Sequence, residues 1–289
     1  MSITATTSLA SRIDHCELSM VTAMADAARA AGIDDVQVWP VAGGAAVLAA
    51  PGSPFNKAIG AGFTDPGNPE DWALIEREHD RRQASVQVEC STLADPRLAS
   101  MLTTRGYRLV GFENILARRL ADEVGGVAAT EVSVATIDAS VSLVDAGEVP
   151  RWNDTVITGF LKPDDFDGPA AHESFDRAAL ERTYELFGAI PGFVRLLAHR
   201  HREVAGGGAL YVRDGIALLC GASTLPAHRR RGVQAALLHA RLAPARAAGC
   251  EMAVVTTQPG SKSQQNVQRL GFELIYSRAI LVREPEPRP

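Results

Sequence analysis

Displacing the chain by 165 positions lays Ala84–Arg118 on Gly249–Arg283 without a gap. Leu109, Ile115, Leu116 and Arg118 then fall on Leu274, Ile280, Leu281 and Arg283, and Gly106-Tyr107 falls on Gly271-Phe272. Hydrophobic period and glycine position agree together, which marks a repeated supersecondary unit. The chain is therefore expected to fold as two copies of one unit. Its 289 residues, 46% of them hydrophobic, suffice for two cores of ordinary size.

The second copy contains the one segment with a clear chemical use. The apolar run Ile216–Ala222 leads into Ser223-Thr224-Leu225-Pro226-Ala227-His228-Arg229-Arg230-Arg231-Gly232-Val233-Gln234, and the alanine-rich stretch Ala235–Ala248 follows. Strand, basic glycine turn and helix make a cradle for a pyrophosphate. The start of a helix leaves backbone N–H groups unpaired and carries partial positive charge, which favours an anion. Gly232 lets the chain approach that anion without a side chain in the way. A nucleotide-binding P-loop needs Lys-Ser/Thr after the glycine, where this chain has Val233-Gln234, and three spaced dinucleotide glycines are absent. Beyond Gly249 come a strand-like run Met252–Thr257, a polar turn Gln258–Ser261, a short helix ending in Arg269-Leu270-Gly271-Phe272, and a last strand Leu274–Val282.

This order and the cradle resemble the Gcn5-related N-acetyltransferase (GNAT) superfamily, whose acyl-CoA signature is Arg/Gln-x-x-Gly-x-Gly/Ala. Arg229 and Gly232 match it; Gln234 departs from the final small residue. The resemblance implies an α/β (α+β) fold of two GNAT-like domains in tandem, each a mixed, mostly antiparallel twisted sheet flanked by helices. A degenerate copy is expected over residues 1–123 and an N-acetyltransferase domain over 130–285. It also implies an acyl-CoA-dependent N-acyltransferase, with acetyl-CoA or another acyl-CoA as cosubstrate and no metal, in which an amine attacks the thioester directly. Ala222, Ser223 and Thr224 are then expected to pair with pantetheine. Arg229, Arg230, Arg231, Gly232, Val233, Gln234 and Ala235 would hold the pyrophosphate, and Ser263 and Asn266 would face the cofactor. The family's acid is a tyrosine four residues before the Gly of Gly-Phe, where this chain has Val267; Tyr276 is the substitute expected to turn its hydroxyl toward the sulfur. No Asp or Glu lies within Ile216–Thr224, so water or Asp164, Asp165 or Asp167 is left to take the amine's proton. The missing tyrosine and strand carboxylate sustain an alternative: a non-catalytic acyl-CoA sensor or partner-binding module.

In the first copy, Thr64-Asp65-Pro66-Gly67-Asn68-Pro69-Glu70-Asp71 stands where the second has Arg229 to Ala236. The glycine survives but the arginines are replaced by carboxylates, and a phosphate there would meet like charge, worth on the order of 1 kcal/mol per close pair near a surface. The first copy is expected not to bind CoA. A formal charge of -5 argues against a general nucleic-acid partner, and no run is long enough to span a bilayer. Four isolated cysteines, Cys16, Cys90, Cys220 and Cys250, and an N-terminus without a secretory pattern suit a cytoplasmic protein; the resemblance implies a small-molecule or peptide amine as acceptor, and a monomer or homodimer is expected. His199 and His201 share a strand face without further ligands and read as surface residues.

Pattern and turn chemistry predict a helix over 9–31, a hairpin Val36–Leu48 turned at Gly43-Gly44, a strand Phe55–Phe63 and a helix Trp72–Gln83. A linker follows at Ala121–Thr130. In the second copy, Val132–Ser142 is expected to hold a strand and a helix start, with helices Asp145–Phe160 and Ser174–Phe187. Strands Phe193–His201 and Gly208–Val212 are expected to flank an Arg202–Gly207 turn. Pro244 is expected to kink or shorten the cradle helix.

Overall fold

The computed structural model describes residues 2–33, 35–49, 52–120, 139–163, 175–187 and 190–286. The expected linker Ala121–Thr130, the expected strand start Val132 and the three aspartates Asp164, Asp165 and Asp167 lie outside them. After helix α1 (Thr7–Ala30), the first copy runs β1 (Gln37–Val41), β2 (Gly44–Leu48), β3 (Lys57–Ile59), α2 (Pro69–Arg81), β4 (Val86–Ser91), α3 (Pro96–Thr104) and β5 (Arg108–Arg119). The second copy opens with β6 (Ser140–Leu143), α4 (Val149–Phe160) and α5 (Arg177–Phe187). It continues with β7 (Phe193–Arg200), β8 (Glu203–Arg213), β9 (Ile216–Thr224), α6 (Val233–Ala247), β10 (Met252–Thr257), α7 (Lys262–Arg269) and β11 (Glu273–Arg283). The two series repeat element for element from β1 and from β7. Even the strand polarity repeats: β3 runs parallel to β4 and β9 parallel to β10, while the other pairings described are antiparallel.

Contacts divide the chain into two compact units. Unit I comprises Met1–Ile3, Ile115–Ala170 and Pro191–Leu274; unit II comprises Thr4–Asn114, Ala171–Ile190 and Ile275–Pro289. In unit I the strands run β10-β9-β8-β7-β6, with the second half of β5 tied on where Leu120 N–H donates to Glu251 O at 2.9 Å. Leu210, Leu219, Leu237, Leu242 and Phe272 pack its core. In unit II the strands run β1-β2-β3-β4-β11, with β11 antiparallel to β4 from Arg278–Ser91 to Arg283–Val86. Its core gathers Trp72, Ile75, Val88, Leu98, Leu102, Tyr107 and Leu281.

Several expectations from sequence need correction. The strand at Phe55–Phe63 shrinks to Lys57–Ile59. The hairpin turns at Ala42-Gly43, one residue early, with φ of 53° and 79°. The expected turn Arg202–Gly207 is shorter: His201 and Arg202, at φ 51° and 67°, make a two-residue turn, and Gly206 and Gly207 lie buried inside β8. Their use is close approach, because a Cβ on Gly207 would stand 2.7 Å from Val156 Cγ2 and 3.1 Å from Trp152 Nε1 of α4. Pro244 neither stops nor shortens α6, which continues to Ala247. It sits in the last turn, so the missing N–H forfeits one bond near an end that frays in any case.

Unit II also buries charge. Arg278, 1% exposed, donates to Asp14 at 2.6 Å, Glu17 at 2.7 Å and Glu89 at 2.6 Å; Lys57 reaches Glu17 at 3.0 Å and Glu89 at 2.6 Å. Burial alone would raise the Glu17 carboxyl, but Lys57 and Arg278 overcome it and hold it at about 2. These contacts fasten β11 to α1 and β4. Replacing Arg278 by Met leaves three carboxylates around a buried point without their shared cation, and is expected to destabilise unit II by about 3–5 kcal/mol. Chemical denaturation followed by the fluorescence of Trp72 checks it; a loss under about 1 kcal/mol would show that the network contributes little.

Candidate functional site

The cradle predicted from sequence is built entirely within unit I. β9 and β10 pair in parallel from Ile216–Met252 to Leu219–Val255, and their pairing ends there. On its other edge β9 stays with β8 as far as Thr224–Gly206, through a register shift that gives β9 one extra residue opposite Gly207–Ala209. Residues 220–224 therefore keep one edge of the strand open. A bulge of this kind bends the strand and frees a carbonyl from the ladder.

Arg241 of α6 occupies the underside of that bend. Its side chain is 1% exposed; Nη1 donates to Ala209 O at 3.0 Å and Cys220 O at 3.3 Å, and Nε to Leu237 O at 3.1 Å. Burial pushes its pKa down to about 10. The guanidinium satisfies carbonyls of two strands at the point where they lose register. Nothing in the sequence pattern marked this residue, since an arginine in a helical run reads as a solvated position.

Past Thr224 the chain makes a 3-10 turn, Pro226–His228, and enters α6 through Arg230 at φ 59° and Gly232 at φ 80°. Gly232 occupies the N-cap position in a left-handed conformation that favours glycine, and it supplies no side-chain cap. The first intrahelical bond runs from Ala236 N–H to Gly232 O, so the N–H groups of Val233, Gln234 and Ala235 stand ahead of the ladder. Opposite them, Asn266 Nδ2 of α7 donates to Gln234 Oε1 at 2.6 Å, and Gln234 Nε2 donates to Ser263 Oγ at 3.3 Å. The departure from the small residue thus ties α6 to the two α7 residues expected beside the cofactor.

Between these elements lies a cavity of about 1010 Å³. Every residue expected to hold the cofactor lines it except Arg231: Ala222, Ser223, Thr224, Arg229, Arg230, Gly232, Val233, Gln234, Ala235, Ser263 and Asn266. Arg229 is not an idle cation on this wall. Its Nε donates to Thr224 O at 3.1 Å and its Nη2 to the carbonyls of Gly159 and Lys162, so it clamps the end of α4 to the end of β9. The sequence reading missed Phe160, Pro163 and Lys262, which also line the cavity, as does His228, which the sequence offered as a solvated turn residue beside the arginines that could add to anion binding. His228 Nδ1 is buried without a partner, and Nε2 stands 3.8 Å from Glu203. The wall carries no carboxylate and no tyrosine among the described residues.

The expected acid requires correction. Tyr276 belongs to unit II, is 4% exposed, and donates its hydroxyl to the Asp14 carboxylate; burial, above all, raises its pKa. It is not part of the cavity wall. Val267, at the family's tyrosine position, is packed in the core of unit I. Among the described residues no group of three or more His, Cys, Asp or Glu is placed to hold a metal, and no helix is long and apolar enough to cross a membrane. None of the four cysteines is joined in a disulfide.

In unit I an open strand end and a bare helix start line one cavity of an α/β domain, and residues 162–272 match the model of the acetyltransferase (GNAT) family. The fold of the chain as a whole is that of tandem GNAT proteins. A GCN5-related N-acetyltransferase from Kribbella flavida, 18% identical, is similar over 96% of this chain and 96% of its own, with a TM-score of 0.63. A GCN5-related N-acetyltransferase from Sphaerobacter thermophilus is 13% identical over 88% of this chain and 77% of its own, at 0.56. A tandem GNAT protein from the clavulanic acid biosynthesis pathway is 15% identical over 85% and 80%, at 0.55. No curated protein matches the sequence.

If Arg241 holds the bend, Arg241→Met should speed amide hydrogen exchange at residues 220–224 at least tenfold, with the β7 amides little changed. Equal exchange in the two proteins would show that the bulge stands without it.

Proposed function

We propose that this protein is an acyl-CoA-dependent N-acyltransferase, with acetyl-CoA the donor and an amine the acceptor. The observation that carries the reading is the pairing of an open β9 edge with an uncapped α6 start across one cavity. Residues 222–224 offer main-chain groups to an extended amide chain, as a neighbouring strand would. In the same wall, the free N–H groups of residues 233–235 and the Arg230 guanidinium meet a diphosphate. The cavity reaches the size of sites that enclose small-molecule ligands, roughly 300–1,000 Å³.

In the proposed reaction the neutral amine attacks the thioester carbonyl carbon; the C–N bond forms, the C–S bond breaks, and the thiolate leaves. The amine's surplus proton passes to solvent and returns to the sulfur. Open N–H groups along residues 220–224 stabilise the negative charge that develops on the carbonyl oxygen, and holding both reactants in one cavity lowers the entropic part of the barrier. The absence of a carboxylate or tyrosine from the described wall favours a second reading, an acyl-CoA-binding module without turnover.

We also propose that the repeat copies are residues 1–123 and 130–285, that only the second binds CoA, and that the protein is cytoplasmic. The copies differ at one helix start. Asn68 Oδ1 accepts from Glu70 N–H at 3.0 Å to cap α2, and Glu70 and Asp71 fill its first turn. The positive end of that helix is already matched by its own side chains.

Calorimetric titration with acetyl-CoA tests the binding half. Wild type should give one site per chain, and the double variant Gly232→Asp, Arg230→Glu should bind at least a hundredfold more weakly. Equal heats, or none, would end the reading. Thiol release from acetyl-CoA over a panel of amines tests the rest: binding without turnover across the panel selects the module.

A further inference from the structure

We propose that Lys262 recognises a further phosphate on the donor, the one carried by the ribose of coenzyme A, so that this site selects free acyl-CoA over carriers with fewer phosphates. This rests on the acyl-CoA reading above and adds the chemistry of the donor's far end to it. Lys262 is the first residue of α7 and lines the same cavity as Arg230 and the uncapped start of α6. Its Nζ donates to the Gln265 amide oxygen at 3.4 Å, a neutral contact beyond the usual length of such a bond. No carboxylate among the described residues pairs with Lys262 or with Arg230, and none lines the cavity.

In the first copy the corresponding cation is already matched. Displacement by 165 positions sets Arg97 on Lys262 and Asp95 on Gly260. Asp95 caps α3 and receives Arg97 Nε at 2.9 Å and Nη2 at 2.5 Å, so that charge is neutralised by the helix's own cap. In the second copy the capping groups are uncharged. Ser261 Oγ accepts from Gln264 N–H at 3.1 Å, and Gln264 Oε1 accepts from Gly260 N–H at 2.7 Å. Those two main-chain donors at the start of α7 are therefore in use, and the charge that this helix offers the cavity is that of the lysine. Gly260 stands where the carboxylate would be and lines the cavity, and a Cβ there would meet nothing within 4 Å. The binding copy thus keeps the cation, drops its counter-ion and leaves space beside it.

Lys262 is placed for a phosphate close to the diphosphate. Ser263, the next residue, accepts from Gln234 Nε2 at 3.3 Å, and Asn266 Nδ2 donates to Gln234 Oε1 at 2.6 Å, so the first turns of α6 and α7 lie against each other. Consecutive Cα atoms are about 3.8 Å apart, which puts the root of the Lys262 side chain one residue from a group that touches α6. On coenzyme A the ribose phosphate is joined to the diphosphate through a few atoms of one sugar, a span suited to the flexible lysine stem. Charge points the same way. Arg230 and the α6 start meet the diphosphate, and a phosphate monoester adds about −1.5 to −2 charges near neutral pH. That addition calls for a further cation, and lysine binds phosphate as a compact point charge. A thioester on a protein-bound phosphopantetheine brings a phosphodiester and no ribose phosphate, and would leave Lys262 unmatched.

Calorimetric titration of the whole protein with acetyl-CoA and with acetyl-dephospho-CoA tests this in wild type, Lys262→Met and Lys262→Arg. Wild type should bind acetyl-CoA at least tenfold more tightly than the dephospho form, with the difference shrinking as salt rises. Lys262→Met should bring that ratio to about one by weakening acetyl-CoA alone, and Lys262→Arg should keep most of it. The side chain is exposed, so the three proteins should melt at the same temperature and a loss of binding is not a loss of fold. Equal affinities in wild type, a ratio that survives in Lys262→Met, or a parallel loss for both ligands in that variant would overturn the role of Lys262 and keep the donor reading. Failure of wild type to bind either ligand would discard the donor reading itself, and the role of Lys262 with it.

Discussion

The separation of β9 from β10 after Leu219 is the constraint from which the site follows. A parallel pair that stayed in register would satisfy both strands and leave no edge for a ligand. Here β9 gains one residue against β8, turns its last five residues away, and exposes main-chain groups that a sheet normally uses up. That arrangement requires something to satisfy the carbonyls stranded at the shift. Arg241 does so from below, with donors to both Ala209 and Cys220 and almost no exposure. The glycines of β8 belong to the same solution: α4 lies so close over Gly207 that a side chain there would collide with it. Close packing of α4 above and a buried guanidinium beneath hold the bent strand from both faces.

Among the described residues three buried arginines have three kinds of neighbour, and the differences sort them by use. Arg278 is surrounded by carboxylates and locks β11 to α1 within unit II. Arg241 has carbonyls only, so its charge polarises a main-chain arrangement. Arg195 has aromatic faces and no acceptor for two of its donors. Burial is common to all three, so burial alone says little about function; the inventory of acceptors carries the distinction.

Much of this was legible in the chain. The 165-residue displacement predicted the repeated order of elements, and the residues of the basic glycine turn expected beside a cofactor, Arg231 apart, line one cavity. The failures share a cause: periodicity reports which face of an element is apolar, never which unit it completes. β5 and β11 align without a gap, and only the folded chain assigns Ile275–Pro289 to unit II. Tyr276 travels with that strand, which is why a residue placed near the sulfur by sequence order instead meets Asp14. Gly206 and Gly207 misled for a related reason, since flexibility and close approach call for the same residue. Arg241 gave no signal because a helix arginine ordinarily faces water.

The repeat also isolates what separates a binding helix start from a closed one. α2 and α6 occupy equivalent places after equivalent strands. At α2 an asparagine caps the free N–H groups, and two carboxylates set negative charge against the positive end of the helix. At α6 a left-handed glycine gives no cap, and no acidic residue stands in the first turn. The backbone electrostatics of the two helices are the same. In one copy they are consumed by the chain's own side chains, whereas in the other they stay available and face a cavity. A few positions, from Asn68 to Asp71 against Gly232 to Ala236, therefore divide the two copies, while the rest of the fold is shared between them.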